Sequence, residues 1–204
     1  NRSLVVKFGM DPMDTDIMID HMVPIVLLSK LQRMGHKIVF LIGDFTALIG
    51  DPSDSSIKQR KLNKKKIEAN VKILKKDLSQ FIEIAKIDMP YNSSWLNELK
   101  LPDLVETMME LDVSSALNRD DFRKKLNNDE GISYAELMYS LIMGFDSLEI
   151  KPDVELGRED QWDNLHMCRR MMEAKGIKPE VIMTTHALPQ GNIFSIDDDP
   201  VYIY

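Results

Sequence analysis

One face of a predicted helix carries a tyrosine and an aspartate among apolar side chains. Tyr139, Met143 and Asp146 are spaced i, i+4 and i+7, so helical geometry places all three on one side. Ser133 and Glu136 form the sequence pattern of a capping box at the start of that helix. The pattern indicates either a polar pocket in an apolar wall or the solvated edge of a helix.

Two loops that follow predicted strands combine glycine with aspartate. In the first loop, Gly9 allows close approach of the backbone and Asp11 could bond a ligand amine or hydroxyl, although a plain turn explains both residues. The second loop, residues 43–52, is either an ordinary connection or part of the same crevice. Its apolar residues indicate that it is packed, so Thr46 and Asp51 are expected to be held in place.

A third acidic turn occupies residues 157–161, with the sequence GREDQ between a predicted strand and a predicted helix. Asp160 then lies in the first helical turn, where a carboxylate interacts favourably with the helix dipole. The functional alternative is a hydrogen bond from a sugar hydroxyl to this carboxylate.

Short apolar runs alternate with helical patterns along the chain. The order of elements, with near-continuous apolar strands, predicts an α/β fold with a parallel sheet covered by helices on both faces. Residues 90–128 predict several shorter helices and are interpreted as an insertion. Strands are predicted over residues 4–8, 37–42, 154–156 and 181–184, and helices over residues 21–34, 67–78, 133–148 and 160–175.

The composition excludes several classes of protein. With 44% hydrophobic and 29% charged residues, the chain is typical of soluble globular proteins, and no apolar run is long enough to span a membrane. A net charge of −7 argues against a general nucleic-acid coat protein.

The single cysteine, Cys168, excludes an internal disulfide and fits a reducing, cytoplasmic compartment. His36, His166 and His186 lack ligand-like spacing, so no metal site is predicted. Residues 1–3 contain neither an initiating methionine nor the apolar region of a signal peptide, and whether the chain is a fragment of a longer protein is left open.

Several segments resemble one family, the bacterial tyrosyl-tRNA synthetases, in order and spacing. The similarity extends to about Thr185, and residues 36–53 are its most specific part. The matching segments are FGMDP (8–12), HKIVFLIGDFTALIGDPS (36–53), YNSSWL (91–96), LNRDDFRKKL (117–126), YSLIMGFDS (139–147) and DVELGREDQWDN (153–164).

The resemblance implies a Rossmann-like catalytic domain over residues 1–185, with a helical insertion at about 90–130 that forms a homodimer interface. Residues 186–204 are then a divergent tail. The implied reaction joins ATP, accompanied by Mg²⁺, to L-tyrosine and transfers the tyrosyl group to tRNA, with no tightly bound cofactor. The ligand is expected to be L-tyrosine or a related amino acid. Binding of tRNA is left open, because no region resembling the anticodon-binding region follows.

The resemblance also implies a role for each matched residue in the amino-acid half of the site. Asp51 and Tyr139 are expected to hold the α-ammonium group, and Asp146 to accept the phenol. Thr46 and Gln161 are expected to line the same pocket, with Gln161 near the carboxylate.

In the nucleotide half, the same resemblance places Gly9, Asp11, Gly157 and Asp160 along the adenylate, with Asp160 on the ribose. The family's HIGH signature corresponds to residues 18–21, in which His21 is the expected catalytic residue.

The nucleotide half departs from the family pattern at three points. In the first signature Met18 replaces a histidine and Asp20 replaces a glycine. Arg158 replaces the second glycine of a Gly-Gly pair. The lysine-containing KMSKS signature is expected over residues 189–197, where no lysine occurs. In the amino-acid half, Met143 stands in place of a glutamine.

These departures leave two main functional hypotheses. The chain is either a divergent tyrosine–tRNA ligase domain with impaired ATP activation, or a non-catalytic or repurposed paralogue. The paralogue would bind an aromatic amino acid, or a protein or RNA partner. A third hypothesis, an enzyme that uses an amino acid in other chemistry, has little support in the sequence.

Overall fold

One five-stranded sheet forms the centre of the protein, in the order β2-β1-β3-β4-β5. The first four strands are parallel and β5 pairs antiparallel with β4. The strands are β1 (Val5–Met10), β2 (Lys37–Ile42), β3 (Val154–Arg158), β4 (Val181–Thr185) and β5 (Val201–Ile203). A computed structural model describes residues 2–13, 19–52, 62–109, 112–186 and 201–203.

Helices pack around this sheet in the described part of the chain. Their bounds are α1 (Ile19–Arg33), α2 (Lys64–Leu78), α3 (Ser93–Leu96), α4 (Leu101–Met109), α5 (Val113–Leu117), α6 (Asp120–Asn127), α7 (Tyr134–Ile150) and α8 (Trp162–Ala174). None of these described helices has the length and apolar character needed to cross a bilayer.

The two faces of the central strands meet different surroundings. Because side chains alternate along a strand, Val6 and Phe8 share one face of β1 with the main apolar core, to which α1 and α2 contribute. Lys7 points to the opposite face, where it reaches Ser147 of α7. Almost every position of β2 is buried, so both faces are covered, as the apolar strands predict.

Helix α7 begins where the sequence predicts. The Ser133 hydroxyl accepts a hydrogen bond from the backbone N–H of Glu136 at 3.2 Å, and the Glu136 carboxylate accepts one from the backbone of Ser133 at 2.9 Å. Glu136 also pairs with Lys125. The capping box therefore fixes the start of the helix that carries Tyr139 and Asp146.

Some predicted boundaries differ from the structure. The predicted α/β class with a parallel sheet is confirmed, but residues 181–184 are not the last strand, because β5 pairs with β4 along its edge. This pairing depends on a contact across the chain that local pattern does not reveal. Residues 159–161 form one 3-10 turn, and α8 starts only at Trp162, where a helix from residue 160 was expected.

Replacing Ser133 with alanine tests the contribution of the cap. The variant loses the side-chain acceptor at the start of α7, so the free energy of unfolding is expected to fall by about 1 kcal/mol in urea titrations. Ser114 is exposed on α5 and makes a matched control, for which Ser114→Ala should change stability by less than about 0.5 kcal/mol. Equal effects for the two variants would show that the cap does not stabilise α7.

Candidate functional site

A cavity of about 160 Å³ lies at the carboxyl ends of β1, β2 and β3. This is where parallel α/β sheets usually bind their ligands. A cavity of roughly 150 Å³ holds a molecule the size of benzene, so this one accepts a single ring. Nine of the ten predicted site residues line it, namely Gly9, Asp11, His21, Thr46, Asp51, Tyr139, Asp146, Gly157 and Gln161.

Asp11 is the centre of a hydrogen-bonded group on one wall of the cavity. Its carboxylate accepts a hydrogen bond from the Thr46 hydroxyl at 2.6 Å and another from the Tyr139 hydroxyl at 2.9 Å. Burial is the main cause that raises the pKa of Asp11 to about 7; the bond from Thr46 opposes the rise and the nearby Asp51 carboxylate adds to it. Asp11, which the family resemblance assigns to the nucleotide, thus contacts two residues assigned to the amino acid.

Gly43 makes this close arrangement possible. A Cβ atom at residue 43 would lie 2.5 Å from the Thr46 hydroxyl oxygen and would overlap the Asp11 carboxylate. The glycine therefore serves the packing of two polar side chains.

Asp51 is oriented by the start of α8. Gln161 donates a hydrogen bond to its carboxylate at 2.8 Å, and the Asn164 amide donates at 3.3 Å. Arg119 in turn donates to the Asn164 side-chain oxygen at 2.7 Å and pairs with Asp121. The loop carboxylate is therefore held by side chains from distant parts of the chain.

Asp146 is the deepest carboxylate on α7, with only 1% of its surface exposed. It accepts hydrogen bonds from the Trp95 indole at 2.8 Å and the Asn92 amide at 3.3 Å. Burial raises its pKa to about 7, against the opposing effects of the Lys7 ammonium and these two donors. Asn92 also donates to Thr46 at 3.1 Å, which links the Asp146 group to the Asp11 group.

A buried ion pair beneath the cavity was not predicted from the sequence. The Lys7 ammonium lies 2.8 Å from the Glu155 carboxylate, with 0% and 1% of the two side chains exposed. It also donates to Ser147 at 2.6 Å. The pKa of Lys7 is raised, because attraction by Glu155 and Glu180 together outweighs the lowering that burial alone would cause. Burial, followed by the Glu155 charge, raises the pKa of Glu180.

Sequence reasoning missed Lys7 and Glu155 because their positions within apolar strands predicted only burial. A signal was present nevertheless, since a charge inside a strand that is buried on both faces requires a partner.

The remaining predicted residues lie at the edge of the cavity or outside the described residues. Asp160 does not line the cavity; its carboxylate accepts a hydrogen bond from Arg158 at 3.0 Å, and Arg158 does line it. The Met18 position, the Asp20 side chain and the stretch 189–197 lie outside the described residues. The roles assigned to all ten site residues remain predictions.

Comparisons with known proteins agree on one family. The family model of class I tRNA synthetases (W and Y) matches residues 1–192. A tyrosine–tRNA ligase of Idiomarina loihiensis is 37% identical over 187 residues, which are 92% of this chain and 47% of that protein. One from Desulfotalea psychrophila is 34% identical over 212 residues, covering 98% and 52%. The chain therefore spans about half the length of these relatives.

Solved structures show the same fold. A C-terminally truncated mitochondrial tyrosyl-tRNA synthetase of Coccidioides posadasii aligns with a TM-score of 0.74 at 23% identity, over 94% of this chain and 61% of that one. The tyrosyl-tRNA synthetase of Archaeoglobus fulgidus, solved with L-tyrosine, aligns with a TM-score of 0.67 at 16% identity, over 100% and 62%. At these identities the likeness establishes the Rossmann-like class I architecture alone.

Replacing Gly43 with alanine tests the packing of the Asp11 group. The added methyl group must displace Asp11 or Thr46, so the free energy of unfolding should fall by about 1–3 kcal/mol in chemical denaturation. Gly131→Ala is the control, because a Cβ atom there meets open space and should change stability by less than about 1 kcal/mol. An unchanged Gly43→Ala protein would contradict the geometry.

The raised pKa of Asp11 predicts how stability depends on pH. The unfolded carboxyl has a pKa near 3.8 and the folded one about 7, so the folded state retains a proton that the unfolded chain releases. Stability from this group is therefore present below about pH 4 and is lost as pH rises to 7. Asp11→Asn should lessen the fall in unfolding free energy between pH 4 and pH 8, measured with urea.

The exposed Asp129 provides the control for that measurement. Asp129→Asn should leave the pH dependence as it is in the unaltered protein. Part of the slope should persist in Asp11→Asn, because the pKa of Asp146 is raised to about 7 as well. A slope unaltered by Asp11→Asn would show that Asp11 ionises normally in the folded state.

Proposed function

The chain belongs to the class I tRNA synthetases of the tryptophan and tyrosine type, and from this membership we propose that it binds L-tyrosine or a related amino acid while its activation of ATP is impaired. The observation that carries the proposal is the cavity with its oriented carboxylates. Asp51 and Asp146 are each held by two side-chain donors, so neither is free to turn away from a ligand.

The amino-acid half offers the groups that an aromatic amino acid requires. Asp11 and Asp51 line the same cavity and provide carboxyl oxygens that can accept hydrogen bonds from an α-ammonium group. Met143, Leu41 and Leu165 provide an apolar wall for a ring. Asp146, buried deeply among these groups, can accept a hydrogen bond from the far end of the ring. Volume, charge and apolar surface therefore suit one ring that carries an amino-acid backbone.

The nucleotide half offers less for a triphosphate. Met18 replaces the first histidine of the family signature, so His21 is the one histidine that remains in residues 18–21. Asp20 adds a carboxylate, and a negative charge about 4 Å from a phosphate is unfavourable by on the order of 4 kcal/mol at an effective dielectric near 20. Arg158, at the cavity edge, is paired with Asp160. Mg²⁺ would enter only with ATP, as the counter-ion of its phosphates.

The same contrast supports a second candidate function, a non-catalytic or repurposed paralogue. The amino-acid half is mostly retained, with Met143 as its one noted departure, whereas the other sequence changes concentrate where ATP would react. In that case the cavity binds an aromatic amino acid without forming an adenylate, or the chain recognises a protein or RNA partner. Two further expectations apply to either candidate function and are also proposals. They are a homodimer formed through residues 90–130 and the binding of tRNA.

Separate calorimetric titrations with L-tyrosine and with Mg-ATP, together with a pyrophosphate-exchange assay, test the proposal. Loss of one transition-state donor typically lowers the rate by roughly 100- to 1000-fold, and two signatures are altered here. Amino-acid-dependent exchange should therefore lie at least about 10⁴-fold below that of the Idiomarina loihiensis relative, while the amino acid still binds. Exchange close to that of the relative would refute the impairment.

A variant of Asp51 shows whether the heat measured in the titration comes from binding at the proposed site or from non-specific binding. Asp51→Asn removes a negative charge from the expected ammonium site and should weaken amino-acid binding by about tenfold or more. Glu149→Gln, on the exposed side of α7, should bind as the unaltered protein does. Equal affinities for both variants would place the amino acid elsewhere.

A further inference from the structure

The deepest part of the cavity lining contains two carboxylates. Asp146 of α7 is 1% exposed and Glu155 of β3 is 0% exposed, and both line the cavity. The two are close enough that the charge of Glu155 raises the pKa of Asp146. We call these two residues the cavity floor.

Lys7 lies behind the floor and is not part of the lining. Its ammonium pairs with Glu155 and bonds Ser147, and no part of its surface is exposed. Glu180 also approaches this group, because the Ser147 hydroxyl donates a hydrogen bond to its carboxyl group at 3.1 Å. Asp146, Glu155 and Glu180 thus place three carboxyl groups around a single ammonium, that of Lys7, and this excess favours a cationic ligand group beside the floor.

The floor also has unused capacity to accept hydrogen bonds. An ionised carboxylate is an acceptor only and has about four lone-pair positions. Asp146 uses two of them, for Trp95 and Asn92. Glu155 receives Lys7 on one oxygen, has Ser147 at 3.4 Å from the other and shares a hydrogen bond with Glu180, which leaves it fewer free positions than Asp146. A ligand group at the floor therefore meets acceptors from two sides.

This arrangement distinguishes between two kinds of ligand group. A phenol has one hydrogen to donate and lone pairs that would face the second carboxylate. A primary ammonium has three donors, no lone pair and a positive charge that neutralises the floor. Charge-assisted hydrogen bonds of this kind are also roughly twice as strong as neutral ones.

We propose that the cavity floor formed by Asp146 and Glu155, with Lys7 behind it, selects an aromatic amino acid whose ring carries a primary amine at its far end. The proposal rests on the proposed aromatic amino-acid site and names the substrate class of that site. In it Lys7 is a positioning residue, because it holds the Glu155 carboxylate in place and does not touch the ligand.

Calorimetric titration of the purified chain with three probes tests the proposal. The probes are L-tyrosine, L-phenylalanine and 4-aminomethyl-L-phenylalanine, which share the amino-acid backbone and differ at the end of the ring. The aminomethyl compound should bind at least about tenfold more tightly than L-tyrosine, because its charged group meets both floor carboxylates.

Variants assign the preference to the floor. Glu155→Gln keeps the size of the side chain and removes its charge, so the preference for the aminomethyl compound should fall below about threefold. Glu149→Gln makes the same chemical change on the exposed side of α7 and should keep the full preference. If Glu155→Gln alone does not fold, the double variant Lys7→Met, Glu155→Gln tests the same loss, since it leaves neither charge buried without a partner.

Each outcome of the titrations supports or overturns the proposal. Equal or tighter binding of L-tyrosine overturns the selection of an amine and leaves aromatic amino-acid binding in place. A preference for the amine that survives Glu155→Gln overturns the assignment to the floor. Failure of all three probes to bind overturns both this inference and the proposed amino-acid site.

Discussion

The buried ion pair between Lys7 and Glu155 constrains the architecture around it. The two residues are register partners on neighbouring parallel strands, β1 and β3, at the centre of the sheet. Removing one partner of such a pair typically destabilises a protein by about 3–5 kcal/mol, because the other charge is left buried alone. Strand register, the packing of α7 through Ser147 and the charge beneath the cavity therefore depend on one another.

Asp146 of α7 lies close enough to this pair for its pKa to respond to both charges. From Asp146 a continuous set of hydrogen bonds extends to the wall of the cavity, beginning with Asn92, which donates to Asp146 and also to Thr46. Thr46 in turn donates to Asp11, which also receives the Tyr139 hydroxyl. The carboxylates of the site thus have defined orientations before any ligand arrives, and less entropy is lost when a ligand binds.

The two halves of the site differ in how well they suit their expected ligands. A carboxylate close to an ammonium group stabilises the bound ligand by charge attraction, and the amino-acid half contains several carboxylates. The same negative charge repels a triphosphate, and the sequence adds one more carboxylate to the nucleotide half at Asp20. This difference in charge supports the proposal that the chain binds an amino acid while its activation of ATP is impaired.

The sequence by itself determined the α/β class, the parallel strands, the capped start of α7 and the family, because apolar periodicity and motif spacing are local properties. It also indicated nine residues that the tertiary structure brings to one cavity. Only the tertiary structure revealed the partner of Lys7, the bonds from Asn92 and Trp95 to Asp146, and the antiparallel β5. These features join residues far apart in the chain, and local pattern predicts that a charge is buried without identifying the residue that compensates it.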